Sequence, residues 1–466
     1  MPAANMHAAS GSPLEASRGP TQRTTAHPSR YLCRVRFKDT CGAAAIAGGS
    51  RPRLGKVFRE IVFLVSGARE LGVSRNFSAL HWSILGKNLL WRLRTPMRLP
   101  ALLVGGLSFA LIHAAAAADA ASSSASPVAV APNDAHIAYM GRVDLSEHAA
   151  RMGYPGITIR FVYRGPAPAI KLTADTANCF FNLACNGWDP VVIHPKAGEN
   201  TIALPTGNAP EQGWLIELVR RTESWMGTAS FDGLWLPPGC ELLPPPPWPT
   251  RKLMFIGDSL TCGEYNERFP PEDDSTPRST NAARSYGMLL ARWLGAQVHL
   301  ISYGGRGITR DWAGNADVNT VPVFFPRTLP DSASPLWDHT RYQPDVIAIN
   351  IGTDFDAGPL DENNYIEAYA RFVAQVRSAH PQAFLLLCES GFQSDGSDGR
   401  PRVARDQLWR TLTAVAERCR AAGDTRVRPV RTAYHPGTAT DPHLVAFQHE
   451  QVALDLLGAI REVAGW

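Results

Sequence analysis

Residues 253–263 read LMFIGDSLTCG: four apolar residues of strand length, a glycine that ends them, then Asp258 and Ser259. A serine just past the C-terminal end of a buried strand is placed for nucleophilic attack, because the strand is rigid and the tight turn pushes the hydroxyl outward. The spacing is not that of a Gly-x-Ser-x-Gly elbow, and Gly-Asp-Ser also occurs in ordinary turns, so the partners must come from elsewhere in the chain. Three blocks offer them. Gly304-Gly305-Arg306-Gly307 can bring backbone N–H groups close to a developing oxyanion. Gly352-Thr353-Asp354-Phe355 ends another apolar run, and Asp441-Pro442-His443 precedes the last helical stretch. Histidine is the base suited to neutral pH. Singly, these are turn glycines, a plain strand end and a helix-start histidine. Their joint order points to acyl-transfer chemistry.

For these blocks to converge, the segments before them must be neighbouring strands. After residue 250, Tyr286, Leu289, Leu290, Trp293 and Leu294 share one helical face. Residues 298–301 form a strand, as do residues 345–351, which read DVIAINI. Ile366, Tyr369, Val373 and Val376 mark a helix, Phe384–Cys388 a buried strand, and Leu408, Leu412, Val415 and Cys419 another helix. Val427–Val430 is a short strand and residues 444–463 the closing helix. Strands alternating with helices predict a three-layer α/β domain with a parallel sheet over residues 251–466, its active residues at the carboxyl ends of the strands. Residues 136–243 have a different texture. Ile157, Ile159, Phe161 and Tyr163 alternate with period two, Ala169–Ala174, residues 201–204 and Trp214–Arg220 follow as strands, and no helical period is found. A small all-β, jelly-roll-like sandwich is predicted there, with Trp225 and Trp235 in its core. Residues 244–250, carrying four consecutive prolines, form a stiff connector that holds the sandwich close to Ser259.

The chain has 466 residues, room for two or three domains, and at 45% hydrophobic and 19% charged residues it is globular. A net charge of +4 over this length, with no basic run in a nucleic-acid motif, argues against a nucleic-acid partner. Residues 97–120 have the pattern of a secretory signal peptide: a lead of Arg92, Arg94 and Arg98, an apolar stretch too short and too glycine-containing to span a membrane well, and Ala116, Ala117 and Ala118 as a cleavage site. Met97 stands where a start methionine belongs. Residues 1–96 therefore read as a disordered leader from a start placed too far upstream, and residues 121–135 as a linker; the alternative is a membrane anchor behind a cytoplasmic segment. A secreted or periplasmic location is expected. Of the eight cysteines, Cys33 and Cys41 fall in that leader. Cys179, Cys185, Cys240, Cys262, Cys388 and Cys419 could form up to three disulfides in an oxidising compartment, with Cys179 and Cys185 close enough for a small loop, while Cys388 and Cys419 read as buried thiols. No CxxC or His/Cys cluster points to zinc.

The four blocks resemble those of the SGNH, or GDSL-type, hydrolases, and with the preceding β region and the GGRGI sequence the chain over residues 136–460 resembles carbohydrate esterase family 2. That family pairs a β-sandwich with an SGNH domain and removes acetyl groups from plant polysaccharides. The resemblance implies Ser259 as nucleophile, His443 as base, and the N–H groups of Ser259 and Gly305 as oxyanion hole. His449 also matches a family histidine, in a supporting place. Two departures stand out. The third block usually reads GTND, with the asparagine amide facing the oxyanion; here Asp354 stands in its place, and an ionised carboxylate would repel that charge. Either Asp354 is protonated or turned away, or the backbone N–H groups carry the hole alone. Second, the orienting acid usually lies three residues before the histidine, where Thr440 stands; Asp441 is two before, and it or a backbone carbonyl orients the imidazole. Arg306 and Trp312 are expected to bind substrate, Trp312 by stacking on a sugar ring unless it belongs to the core. The implied reaction is hydrolysis of an O-acetyl ester through an acetyl-serine, with no metal or organic cofactor needed, by a monomer that acts on acetylated polysaccharide or oligosaccharide and has no stable membrane insertion once processed. Two other readings remain: a glycan O-acetyltransferase, and a carbohydrate-binding protein with a weakened site.

Overall fold

The computed structural model describes residues 126–204, 210–268 and 275–466. The signal-peptide and upstream-leader readings lie outside them. Among the described residues no helix is long and apolar enough to cross a membrane.

The first half is two antiparallel sheets face to face. One runs Asp144–Leu145, Ala150–Met152, Ala229–Leu236, Ala169–Ala174, Gly198–Ala203, and the other Glu241–Leu243, Thr158–Arg164, Trp214–Arg220, Phe181–Cys185, Val191–Ile193. The alternation read from the sequence sets the inner faces: Ile159 pairs with Leu218 and Phe161 with Ile216, and all four are buried. Three expectations are corrected. Val128–Val130 pairs with Ala229–Leu236, so the start of the described chain is a sandwich strand and the linker does not extend to residue 135. Trp225 and Trp235 are each 43% exposed and not core. Cys179 and Cys185 are free thiols, like the other four described cysteines; Cys388 is buried as expected, and Cys419 only half-buried.

The second half is a parallel five-stranded sheet in the order Ala296–Ser302, Arg251–Gly257, Val346–Asn350, Phe384–Cys388, Val427–Val430. Its strands are buried on both faces, which is why they read as continuous apolar runs. Met254, Ile256, Ile347 and Ile349 face the helices Glu362–Ala379 and Val403–Ala421. Leu253, Phe255, Val346 and Ala348 face Tyr286–Leu294 and Ala446–Ala464. The Tyr286–Leu294 helix is turned slightly from the expected face: Met288 and Ala291 are buried while Trp293 is 42% exposed. The second strand in sequence lies outside the first, so the chain reverses its direction of travel at Arg251–Gly257. In an open α/β sheet that reversal opens a crevice at the carboxyl ends of the strands.

The two halves share one apolar cluster that runs from Phe161 and Phe231 to Ile347 and Phe372. Polar ties reinforce it. Arg142 of the sandwich, fully buried, donates to the carbonyls of Phe325 and, at 2.9 Å, of Arg327. Tyr154 Oη donates to Phe324 O at 2.8 Å, and Ser224 Oγ to Ser302 O at 2.7 Å.

Candidate active site

The crevice collects the blocks because three of them end strands of one sheet and the fourth lies in the loop between its last strand and the closing helix. Gly257 closes the Arg251–Gly257 strand beside Asn350, where a Cβ would lie 2.6 Å from Asn350 O. Asp258 then caps the short Ser259–Cys262 helix, its Oδ1 accepting from Leu260 N at 3.2 Å. Its Oδ2 accepts from Gly352 N at 2.9 Å and Thr353 Oγ1 at 3.0 Å, which joins the first block to the third. Burial pushes this carboxyl above the ordinary range, against those donors. Ser259 follows with its backbone fixed. Its N–H and that of Gly305 find no acceptor among the described residues, and both are free for an incoming oxygen. Gly305 has φ +71°, and a Cβ there would lie 2.8 Å from Trp312 Cδ1. Glycine is therefore required twice over, by the left-handed backbone and by the indole packed on the loop.

His443 sits in the loop before Ala446–Ala464. Its Nδ1 is 2.7 Å from Asp441 Oδ1, which also accepts its backbone N–H at 2.9 Å. Asp441 Oδ2 pairs with Arg268 Nη1 at 2.6 Å and accepts from Ser275 Oγ at 2.7 Å. Arg268, itself buried, also donates to His443 O at 2.6 Å. Burial works against the charge on Asp441, but the bonds to His443 and Arg268 outweigh it and hold the carboxyl well below the usual range. For His443, burial pulls the ring down, yet the Asp441 bond and the charge of Glu264 leave it above its ordinary value. Ser259 Oγ forms no hydrogen bond among the described residues, and His443 Nε2 stands 3.5 Å from Glu264 Oε2; catalytic hydrogen bonds are often loose before substrate arrives. Thr440 is turned to Thr438, 3.3 Å between hydroxyls, rather than to the imidazole. His449 is buried away from the crevice, its Nδ1 accepting from Tyr286 N at 3.4 Å and its ring held by burial down at about 3.

For Asp354 the structure selects one of the alternatives left open by the sequence: the carboxylate is turned away. It is fully buried, and its carboxylate accepts from Ile308 N at 2.6 Å, Thr309 N at 2.7 Å, Thr309 Oγ1 at 2.7 Å, Arg310 N at 3.2 Å and Tyr365 Oη at 3.2 Å. Five donors occupy it, and a carboxylate offers them nothing but acceptors. It anchors the loop after Gly305 and does not face the oxyanion. Arg306 is also partly spent, pairing with Asp311 at 3.5 Å and lying over the Tyr303 ring, yet it lines the cleft. Trp312 is 64% exposed and belongs to no core.

Ser259 and His443 open on a cleft of about 820 Å³ walled by Trp225, Trp312, Phe392 and Arg400. Trp225 reaches it from the sandwich. Sequence reading missed Trp225, Glu264 and Glu223 as site residues. The one signal for the two glutamates was Gly304, whose missing side chain leaves the space that both carboxyls fill.

An N-terminal sandwich, a 2-1-3-4-5 parallel sheet, a serine and a glycine N–H just past its strand ends and a histidine before its last helix are the arrangement of the GDSL class of hydrolases. Residues 255–449 match the model of the GDSL-like lipase/acylhydrolase family, and residues 139–246 that of the carbohydrate esterase 2 N-terminal region. An acetylxylan esterase/glucomannan deacetylase of Cellvibrio japonicus is 34% identical over 341 residues, 72% of this chain and 91% of that protein. The chain belongs to carbohydrate esterase family 2, and it is a carboxylic ester hydrolase. A solved family two carbohydrate esterase from Cellvibrio japonicus superposes with a TM-score of 0.67 at 33% identity, covering 73% of this chain and 99% of that one. Another, from Clostridium thermocellum in complex with cellohexaose, gives 0.64 at 29% identity, covering 71% and 99%.

Proposed function

We propose that this carbohydrate esterase removes O-acetyl groups from acetylated plant polysaccharide or oligosaccharide, acting as a monomer outside the cytoplasm. The observation that carries the reading is the convergence, in one aromatic-walled cleft, of Ser259, the Asp441–His443 pair and two N–H groups with no acceptor. Asp441 holds Nδ1–H, so Nε2 is the basic nitrogen. It takes the Ser259 proton as Oγ attacks the acetyl carbonyl. The N–H groups of Ser259 and Gly305 receive the oxyanion. The imidazolium returns its proton to the departing sugar hydroxyl, leaving acetyl-serine. Water, deprotonated by the same nitrogen, then releases acetate and regenerates Ser259. The names of the relatives, which include xylan and glucomannan deacetylation, support the substrate class. The open faces of Trp225 and Trp312 support it as well, since exposed indoles suit the apolar faces of sugar rings.

The test is acetate release from a panel of acetylated xylan, glucomannan and aryl acetate, with Ser259→Ala as control. Release on a glycan that the control does not give supports an esterase. Acetyl transfer only in the presence of an acceptor glycan, or binding without turnover, overturns the reading.

A further inference from the structure

Two buried carboxyls near His443 have no part in the mechanism above. Glu223 comes from the sandwich, just before the Ser224–Met226 turn, and is fully buried. Its Oε1 accepts the Trp225 indole N–H, while its Oε2 has no well-formed hydrogen bond and only the Gly304 backbone and the Cys262 thiol nearby. Glu264 comes from the hydrolase half, five residues after the nucleophile, and is also buried. A Cβ placed on Gly304 would lie 2.2 Å from Glu223 Oε2 and 2.8 Å from Glu264 Oε2, so the two carboxyls crowd one space, their oxygens no more than 5.0 Å (2.2 + 2.8) apart. The same Glu264 Oε2 is 3.5 Å from His443 Nε2.

Two ionised carboxylates cannot stay in contact in a buried site, and a buried oxygen without a donor is costly. One proton resolves both problems. We infer that Glu223 and Glu264 hold one proton between them, and that this pair, completed only where the sandwich meets the hydrolase domain, is a positioning device that sets the basicity of His443 from its Nε2 side. The pair then carries a single negative charge. It favours the imidazolium that forms when Ser259 gives up its proton, without the full pull of a lone carboxylate that would hold the ring away from the serine.

Other groups around His443 do not replace it. Asp441 engages Nδ1, and Arg268 opposes the imidazolium while pairing with Asp441. Tyr265 meets the ring edge-on at 5.6 Å, and Asp356 and buried His449 act from farther off. On the other side of the pair, Cys262 Sγ donates to Ser302 Oγ at 3.2 Å. Burial raises both carboxyls; the charge of Glu223 raises Glu264 further, while the hydrogen bond from Glu264 favours the ionised form of Glu223.

The inference rests on His443 as the base, but its test does not need turnover. His443 is titrated by NMR in the full chain carrying Ser259→Ala. Adding Glu264→Gln takes the charge off the oxygen facing Nε2 and leaves it on Glu223, and the midpoint should fall by up to about one pH unit, the order of effect of an opposite charge at close range. Adding Glu223→Gln leaves the whole charge on Glu264, hydrogen-bonded to the new amide, so the midpoint should stay or rise. A purely structural pair would lower the melting temperature in both variants and move neither midpoint. The proposal is overturned if Glu264→Gln leaves the midpoint in place, or if Glu223→Gln lowers it equally. Difference infrared spectra at neutral pH give a second reading that survives loss of the NMR signal. A protonated-carboxyl band present in the parent should be missing from Glu223→Gln, and no difference there also overturns it. A natural-sequence protein that releases no acetate, alongside the expected titrations, would sink the esterase reading and leave the acid pair standing.

Discussion

The sandwich and the hydrolase domain reach the same cleft by different routes. The parallel sheet delivers Ser259, Gly305 and the Gly352–Thr353 turn from the ends of three adjacent strands, so topology alone brings them together. The sandwich delivers Trp225 from a single three-residue turn outside its sheets and Glu223 from the residue before it. In the first case the fold dictates where chemistry can occur. In the second, docking does: the turn matters only because Arg142, Tyr154 and Ser224 press the sandwich against the hydrolase domain. On the proposed mechanism, bond-making groups sit in the half with the strong positional rule, and the half without it supplies substrate contact and electrical environment.

Substitutions can break or sharpen that division. Ser259→Ala should reduce acetate release by roughly a thousandfold or more with an unchanged circular dichroism spectrum. Near-normal turnover in the folded variant would remove the hydrolase half from the chemistry. Asp441→Asn leaves the loop able to form but loses the charge that holds Nδ1–H, and kcat should drop by about 10²–10⁴-fold; a loss under threefold would give the orienting role to another group. Asp354→Asn comes next. An amide nitrogen would confront the N–H groups of Ile308 or Thr309, at a cost of about 1–3 kcal/mol. The melting temperature should fall and the neutral-pH rate should drop, on the order of tenfold if the Gly305 loop shifts. A faster variant at neutral pH would show that the carboxylate faces the oxyanion after all.

On the sandwich side, Trp225→Ala should raise KM on acetylated polymer by about three- to tenfold, the worth of one aromatic contact. An aryl acetate, too small to span the cleft, should be turned over almost as before. Equal losses on both substrates would place this tryptophan in the chemistry. The smallest effect is a pH limb. Because His443 is held above its ordinary 6.5, kcat/KM should fall on the acid side with a midpoint above that value, as the base becomes protonated. A midpoint at or below 6.5 would mean that Asp441 and Glu264 do not outweigh burial.

What the sequence revealed follows the same division. Residues 346–349 and Phe384–Cys388 are uninterrupted apolar runs because both faces of the sheet are covered, and such runs are easy to read. That Ser259, Gly305 and His443 share one cleft was legible because block order along a parallel sheet constrains them together. Trp225 misled because tryptophan amid strands usually fills a core, whereas this one lies on a turn, its indole N–H bound to Glu223. Glu223 carried no signal, since a glutamate before a turn is ordinary until a second domain covers it. Asp354 was found as an anomaly, but its direction was not: that depends on three consecutive N–H groups at residues 308–310 turning toward it, and no residue type announces such a geometry.

The bond from Arg142 across the junction has a practical consequence for anyone wishing to cut the molecule. Phe325 O, Phe324 O and Arg327 O all look to sandwich side chains for donors, and severing the backbone removes none of them. A protease nick in the proline-rich connector at residues 244–250 should thus yield two fragments that co-elute on gel filtration, while the hydrolase fragment expressed alone should precipitate, its apolar flank and orphaned carbonyls bare to solvent. As cargo for fusion to other modules, the esterase travels as both halves or not at all.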